Sequence, residues 1–519
     1  MDSLGASGQG AGARSAWLPR SSIPIVAGVG IGLLATLLMM ADGALIIAVL
    51  VLAGAFIVPV FFVRDLSLYC VVVFLLALPF EASVGITGRG VDVESLIATM
   101  GLSPTNLMAV KLFPTDLLLA LLLLLWGLDL VRRRTTLWLP SGSWLAFAFV
   151  GWGVLSALLK SQYPMLSTAQ LVHEIKYLLL FVYLANFLVS RQRIDWFTGA
   201  LIAVAVMEVA VTLVMWRAGY SRDSLVDRMG LGVSHEFEFL RSSEQDMETQ
   251  ENFRASGTFG AASHLAMYMQ TLWPLLLALG ITAVGLARRS LYLLLFAAAA
   301  AAIYVTQSRS GLAGLAVGFV GVLAVARLRG YLPNPALLVF AYAGSVLIAT
   351  LSANIYEQVV SRPQTYFQRF VLLEQGMILV AGNPILGVGP NNSTSARVEL
   401  LHRDREREFD PDIWAPDDDL YPIHNQWMVE VAERGLVGAG LGLAFLTMIG
   451  LRAVRLAGHA DRRIATLAIA AVGALLGLGT QQLGDHFAVN ATHSMLWIWC
   501  AVIVALDRLV GGGNPAPRI

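Results

Sequence analysis

Residues 112–131 read LFPTDLLLALLLLLWGLDLV and are followed at once by Arg132-Arg133-Arg134. A helix that crosses the hydrocarbon core of a bilayer needs about 20 predominantly apolar residues. This run supplies them, and the basic triplet stands where such a helix would leave the lipid. Apolar and polar residues do not alternate here, so the period is not that of a half-buried strand. Within lipid, a chain of this kind satisfies its backbone only as a helix.

The same ruler gives further apolar stretches at 22–41, 43–63, 66–80, 142–159, 170–189, 197–217, 261–286, 291–307, 311–328, 335–353, 426–451, 464–482 and 494–509. With the first, that is about fourteen spans. The expected fold is an all-α polytopic membrane bundle. Composition agrees: 57% of the 519 residues are hydrophobic and 13% charged, against roughly a quarter charged in soluble domains. Formal net charge is zero, so no overall field favours nucleic acid. Cys70 and Cys500 lie inside apolar runs and read as small packing residues.

Short basic loops orient the bundle. Arg132 to Arg134, Arg191 and Arg193, Arg288 and Arg289, Arg327 and Arg329, and Arg452 through Arg463 all fall on one side. Positive-inside bias places that side, and both termini, in the cytoplasm. The long polar segments 81–111, 218–260 and 354–424 then fall outside, in the bacterial case on the periplasmic face of the inner membrane. Long ordered loops are usually functional, so the active site is expected there. On this reading the chain divides into a cytoplasmic tail, 1–21, and an N-terminal transmembrane region, 22–250, with an outer loop at 218–250. A core at 251–455 carries the large loop 354–424, and 456–519 forms a final transmembrane pair and tail.

Four strings cluster around the outer face: RASGTFGAASHLA from Arg254, TQSRSGLAGLAVGF around Arg309, RFVLLEQGMILVAGNPILGVGPNN from Arg369, and HNQWMVEVAERGLVGAGL from His424. Their order and placement resemble the O-antigen ligase/polymerase family. That family shows a Ser-Arg-Gly-like step, a Pro-Leu-Gly-Val-Gly-Pro-like turn and a His-Asn followed by a glycine pair. Here Ser310 intervenes before Gly311, a small departure. The resemblance covers mainly 250–450. It implies a C-type glycosyltransferase architecture without metal or other cofactor. It also implies a glycan donor on undecaprenyl diphosphate, a glycan or lipid A–core acceptor, and contact with membrane lipids and chain-length regulators or other assembly proteins. No nucleic acid is expected.

The chemistry asks for these residue types. An alcohol displaces a diphosphate from an anomeric carbon, so positive charge must hold the leaving anion. Arginine binds phosphate oxygens through a planar fork and stays protonated. Arg309 and Arg369 are therefore read as catalytic and Arg254 as substrate-binding, against the alternative that each only snorkels at a helix end. The acceptor hydroxyl benefits from a positioned base, and histidine suits that work; His424 is its candidate. Asn425 either orients His424 or caps the helix. Gly387 and Gly389 present backbone N–H groups to phosphate or simply make a tight turn. Gly435 and Gly438 read as close helix packing.

Weaker candidates are Lys176, placed to meet a phosphate, with His173 and Glu174 beside it, and Glu208 within a span. Asp417 to Asp419 read as an acidic surface run rather than a cation site. A flippase or transporter is the rival from another class. It would show repeats and broken helices at mid-membrane, whereas the polar clusters here sit at helix ends. A scaffold would leave the Arg and His motifs without a task.

Overall fold

The computed structural model of the chain describes residues 65–80, 84–86, 110–219, 254–259, 261–335, 339, 344, 363–403, 423–486 and 489–511. Within these the protein is an all-α polytopic membrane bundle. Its first elements are α1 (Leu66–Ala77), a small antiparallel ribbon of β1 (Val84–Ile86) and β2 (Val110–Leu112), and α2 (Pro114–Val131). There follow α3 (Ser143–Lys160), α4 (Pro164–Phe187), α5 (Arg191–Ala218), α6 (Ala262–Met269) and α7 (Trp273–Thr282). The rest are α8 (Leu286–Val305), α9 (Arg309–Leu328), α10 (Pro363–Gly382), α11 (Ser393–Arg403), α12 (Gln426–Leu456), α13 (Arg462–Gln481) and α14 (Asn490–Val510).

Among the described residues nine helical segments are long and apolar enough to cross a membrane, with α6 and α7 counted as one. The 24-residue α4 is long enough as well, but it carries His173, Glu174 and Lys176 and is not among the nine. The expected spans 22–41 and 43–63 lie outside the described residues, as does most of 335–353. The stretch 66–80 yields only the 12-residue α1, about 18 Å at 1.5 Å per residue and so short of a full crossing.

Two other expectations change in detail. The apolar run 261–286 is not one helix: Pro274 lacks the N–H that would continue the ladder, and the chain breaks between Met269 and Trp273. The opened carbonyl of Thr271 accepts from Trp499 Nε1 at 2.8 Å. The segment 354–424, read as a loop, contains α10 and α11. Val371, Leu372, Gln375 and Leu379 recur at helical spacing and are buried, which gives α10 a face to pack.

Small residues set the closest packing. On α9 a methyl at Gly314 would stand 2.5 Å from the Gly477 carbonyl, and one at Gly318 would stand 2.9 Å from that of Gly473. Glycines four apart on both α9 and α13 thus let the two backbones touch, the usual device where lipid offers no hydrophobic drive between helices. At one end of the bundle Arg463 pairs with Asp195 and Arg191 with Asp461. The candidate site occupies the other end.

Candidate functional site

The site is built at helix starts. Between α8 and α9 the chain turns within Thr306–Ser308, with Gln307 at φ 52°. Ser308 caps α9 by accepting from the Gly311 N–H at 3.2 Å, which sets Arg309 as the first helical residue. Arg254 reaches the same turn: its Nε donates to the Thr306 carbonyl at 3.0 Å, and the Ala255 N–H donates to Val305. Arg254 and Arg309 therefore flank one turn, each half-buried.

The start of α12 comes to the same region. Asn425 accepts from the Met428 N–H at 2.9 Å, which is a helix cap, and donates from Nδ2 to the Leu483 carbonyl at 3.0 Å. The Gln426 N–H points at both the Gln482 and Asp485 carbonyls, each at 3.0 Å. His424, half-buried, lies edge-to-face with His486 at 5.5 Å between ring centroids. Asn425 thus caps the helix and also ties it to the loop between α13 and α14, with both ends of its side chain engaged.

That loop, Gln482–His486, is the hub. Asp485 Oδ2 accepts from the Ser310 hydroxyl at 2.7 Å. Gly484 sits between α9 and α10: a methyl there would lie 3.2 Å from Ser310 Cβ and 3.7 Å from Arg369 Nη1. Arg369 is half-buried and, among the described residues, makes no hydrogen bond or ion pair. Behind the loop Gln481 Nε2 donates to the Ser263 carbonyl, beside His264. Burial, then His424, His264 and His493 in turn, hold His486 down to about 3, so its imidazole is neutral near pH 7. Arg369, His424 and the α9 start that bears Arg309, three segments far apart in sequence, all meet these five residues.

The remaining sequence candidates sit elsewhere. Lys176 is held by Asp116 at 3.0 Å, Asn490 Oδ1 at 2.7 Å and His173 Nδ1 at 3.2 Å, in a knot joining α2, α4 and α14. Its ammonium has three donors, and these contacts use them. Glu208 accepts from the Thr258 hydroxyl at 2.7 Å, a partner the sequence did not reveal. Asp417 to Asp419 lie outside the described residues.

Gly387 and Gly389 serve a break in α12. At Gly435 the helix leaves its path, with φ 68° and ψ −180°. The Ala432 and Glu433 carbonyls lose their helical partners there and accept from the Val388 and Gly389 N–H groups at 2.9 and 3.0 Å. The Leu436 N–H donates to Pro384 at 2.8 Å, and the Gly387 N–H donates to Asn383. Both glycine amides are engaged inside the protein, in the geometry of a plug rather than of an open anion nest. Any side chain at Gly435 would overlap the Ile385 carbonyl, so this glycine admits the plug, a more specific duty than helix packing. Beside it Arg434, fully buried, pairs with Glu174 and Glu430 and stacks over Phe149.

The fold and the placement of polar groups define a multi-pass membrane protein with a cationic and imidazole-bearing site at one end of its bundle. Residues 293–443 match the family model described as O-antigen ligase. That match supports the O-antigen ligase/polymerase family for this part of the chain. A comparison with curated proteins gave no match. The matched residues include Arg309, Arg369, Gly387, Gly389, His424 and Asn425, whereas Arg254, Lys176 and the Gln482–His486 loop fall outside them. Sequence reading overlooked that loop. Its signal was a Gly-Asp-His string between two apolar runs on the side facing the other motifs.

Proposed function

We propose that the protein transfers a glycan from undecaprenyl diphosphate to an acceptor hydroxyl at the periplasmic face of the inner membrane. The observation that carries this reading is that Arg369, His424 and the helix start bearing Arg309, through its neighbour Ser310, all meet the Gln482–His486 loop. Arg369 and Arg309 hold the diphosphate, with Arg254 on the flank of the same turn. His424 takes the proton from the acceptor oxygen as that oxygen bonds to the anomeric carbon. The bond from that carbon to the diphosphate oxygen breaks, and the diphosphate leaves as an anion against the guanidinium groups. Charge held in place before the reaction needs no reorganisation during it.

The acceptor we favour is a second lipid-linked glycan, giving chain extension; the alternative is lipid A–core, giving ligation. The long polar segments 218–260 and 354–424 suit an enzyme that holds two glycans at once. Two measurements test the proposal. His424→Ala should reduce transfer about 10²–10⁴-fold, the usual cost of a lost catalytic base, with membrane abundance unchanged. Near-normal transfer in that variant would remove His424 from the mechanism. A deletion strain should place single repeat units on the final acceptor. Long polymer stranded on the carrier would instead assign ligation.

A further inference from the structure

We infer that His486 is the positioning residue for His424, holding its imidazole toward the acceptor. The inference rests on the proposed role of His424 and deepens it.

The two rings meet edge-to-face at 5.5 Å with an interplanar angle of 68°, within the range aromatic pairs prefer. The backbone on either side of this contact is fixed. Asn425 and Gln426, the two residues after His424, bind the carbonyls of Leu483, Gln482 and Asp485. The turn that leads to His486 is closed by the Leu483 N–H to Thr480 and the Gly484 N–H to Gln481. His424 precedes the first turn of α12, and its ring reaches across the gap to the loop. The ring that faces it there is His486.

Other titratable groups stand near His486: His264 from α6 and His493 from α14 act on it, Asp485 precedes it in the loop, and Arg369 of α10 approaches Gly484 two residues earlier. Among these His486 stays neutral at working pH. A neutral wedge leaves His424 free to accept a proton, where a second imidazolium would oppose it. His486 therefore orients the base without competing for its proton.

The test is a double-mutant cycle in membranes, with lipid-linked donor and acceptor supplied and kcat and KM measured separately. His486→Ala should lower kcat about a hundredfold, the scale of a misplacement of about 1 Å, with donor KM unchanged. His486→Phe, which keeps the ring, should restore most of the rate. In the His424→Ala background His486→Ala should add nothing to the residual loss, because residues acting as one unit are not additive. If His486→Ala fails to accumulate, His486→Leu replaces it in the comparison with His486→Phe, and a low kcat for Leu alone is expected. Equal rates for Phe and Leu, a wild-type kcat in His486→Ala, or a further loss in the double variant would overturn the inference and leave the role of His424 standing. An active His424→Ala enzyme would instead overturn the functional reading itself.

Discussion

The Ser310 hydroxyl donates to the Asp485 carboxylate at 2.7 Å, joining the first turn of α9 to the loop before α14. Ser310 directly follows Arg309, and Asp485 directly precedes His486. One hydrogen bond therefore sets the spacing between the proposed phosphate side of the site and the proposed acceptor side. The residue that departs from the family's Ser-Arg-Gly step is the one that makes this bond.

Removing that hydroxyl should disturb geometry without removing charge. A hydrogen bond to a charged group is worth about 1.5–3 kcal/mol, and each 1.4 kcal/mol in a barrier is about tenfold in rate. Ser310→Ala should therefore lower transfer by about ten- to a hundredfold at most, with Ser310→Thr retaining more. Assays of glycan transfer in membranes from each variant, normalised to protein abundance, check this. An unaltered rate in Ser310→Ala would show that the bond does not govern the spacing.

Arg309 and Arg369 should respond differently from simple helix anchors. Lysine keeps the charge and can snorkel as well, but it lacks the planar fork that grips phosphate at two points. Each Arg→Lys change should impair transfer, and each Arg→Ala change should impair it more. Arg369 is the sharper test, since among the described residues it has no other partner to lose. Carrier affinity and rate both at wild-type level in Arg369→Lys would favour anchoring.

The break in α12 makes a stability prediction independent of chemistry. Gly435 stands at φ 68° and ψ −180°, a region essentially restricted to glycine that costs other residues on the order of 1–3 kcal/mol, and a methyl there would also strike the Ile385 carbonyl. Gly435→Ala should expel the 384–389 plug and leave several backbone groups unpaired. Arg434→Ala should cost about 3–5 kcal/mol, because it strands the buried Glu174 without its cation. Thermal unfolding of the detergent-solubilised protein measures both, and Tm values equal to wild type would refute the plug as a structural necessity.

How much of this was legible in the sequence depends on the range of each interaction. The spans were legible because lipid imposes a length and an apolar run on any helix that crosses it, as at 112–131. Arg309, Arg369 and His424 were legible because each is a polar residue beside an apolar helix in a motif-bearing string. Glu174 and Arg434 gave no local sign of pairing, being 260 residues apart in sequence. Gly387 and Gly389 were visible as glycines, but the Glu433 carbonyl that Gly389 binds and Gly387 packs against belongs to a break in another helix. Asp485 and His486 lay in a loop too short to draw notice, and only the folded bundle reveals that three other segments lean on it.

His486 also makes a pH prediction. In the folded protein its imidazole is held at about 3, first by burial and then by neighbouring histidines, whereas an unfolded histidine titrates near 6.5. Between those two values the unfolded chain binds a proton that the folded chain refuses. Stability rises with pH wherever the unfolded state binds more protons, so the contribution of His486 is fully present above about pH 6.5 and is lost as pH falls toward 3. The wild-type protein should lose Tm steadily from pH 7 to pH 4 in detergent. His486→Phe cannot titrate and keeps the ring contact with His424, so its Tm should fall less over the same window. Parallel curves for the two proteins would show that His486 is not held neutral by the fold.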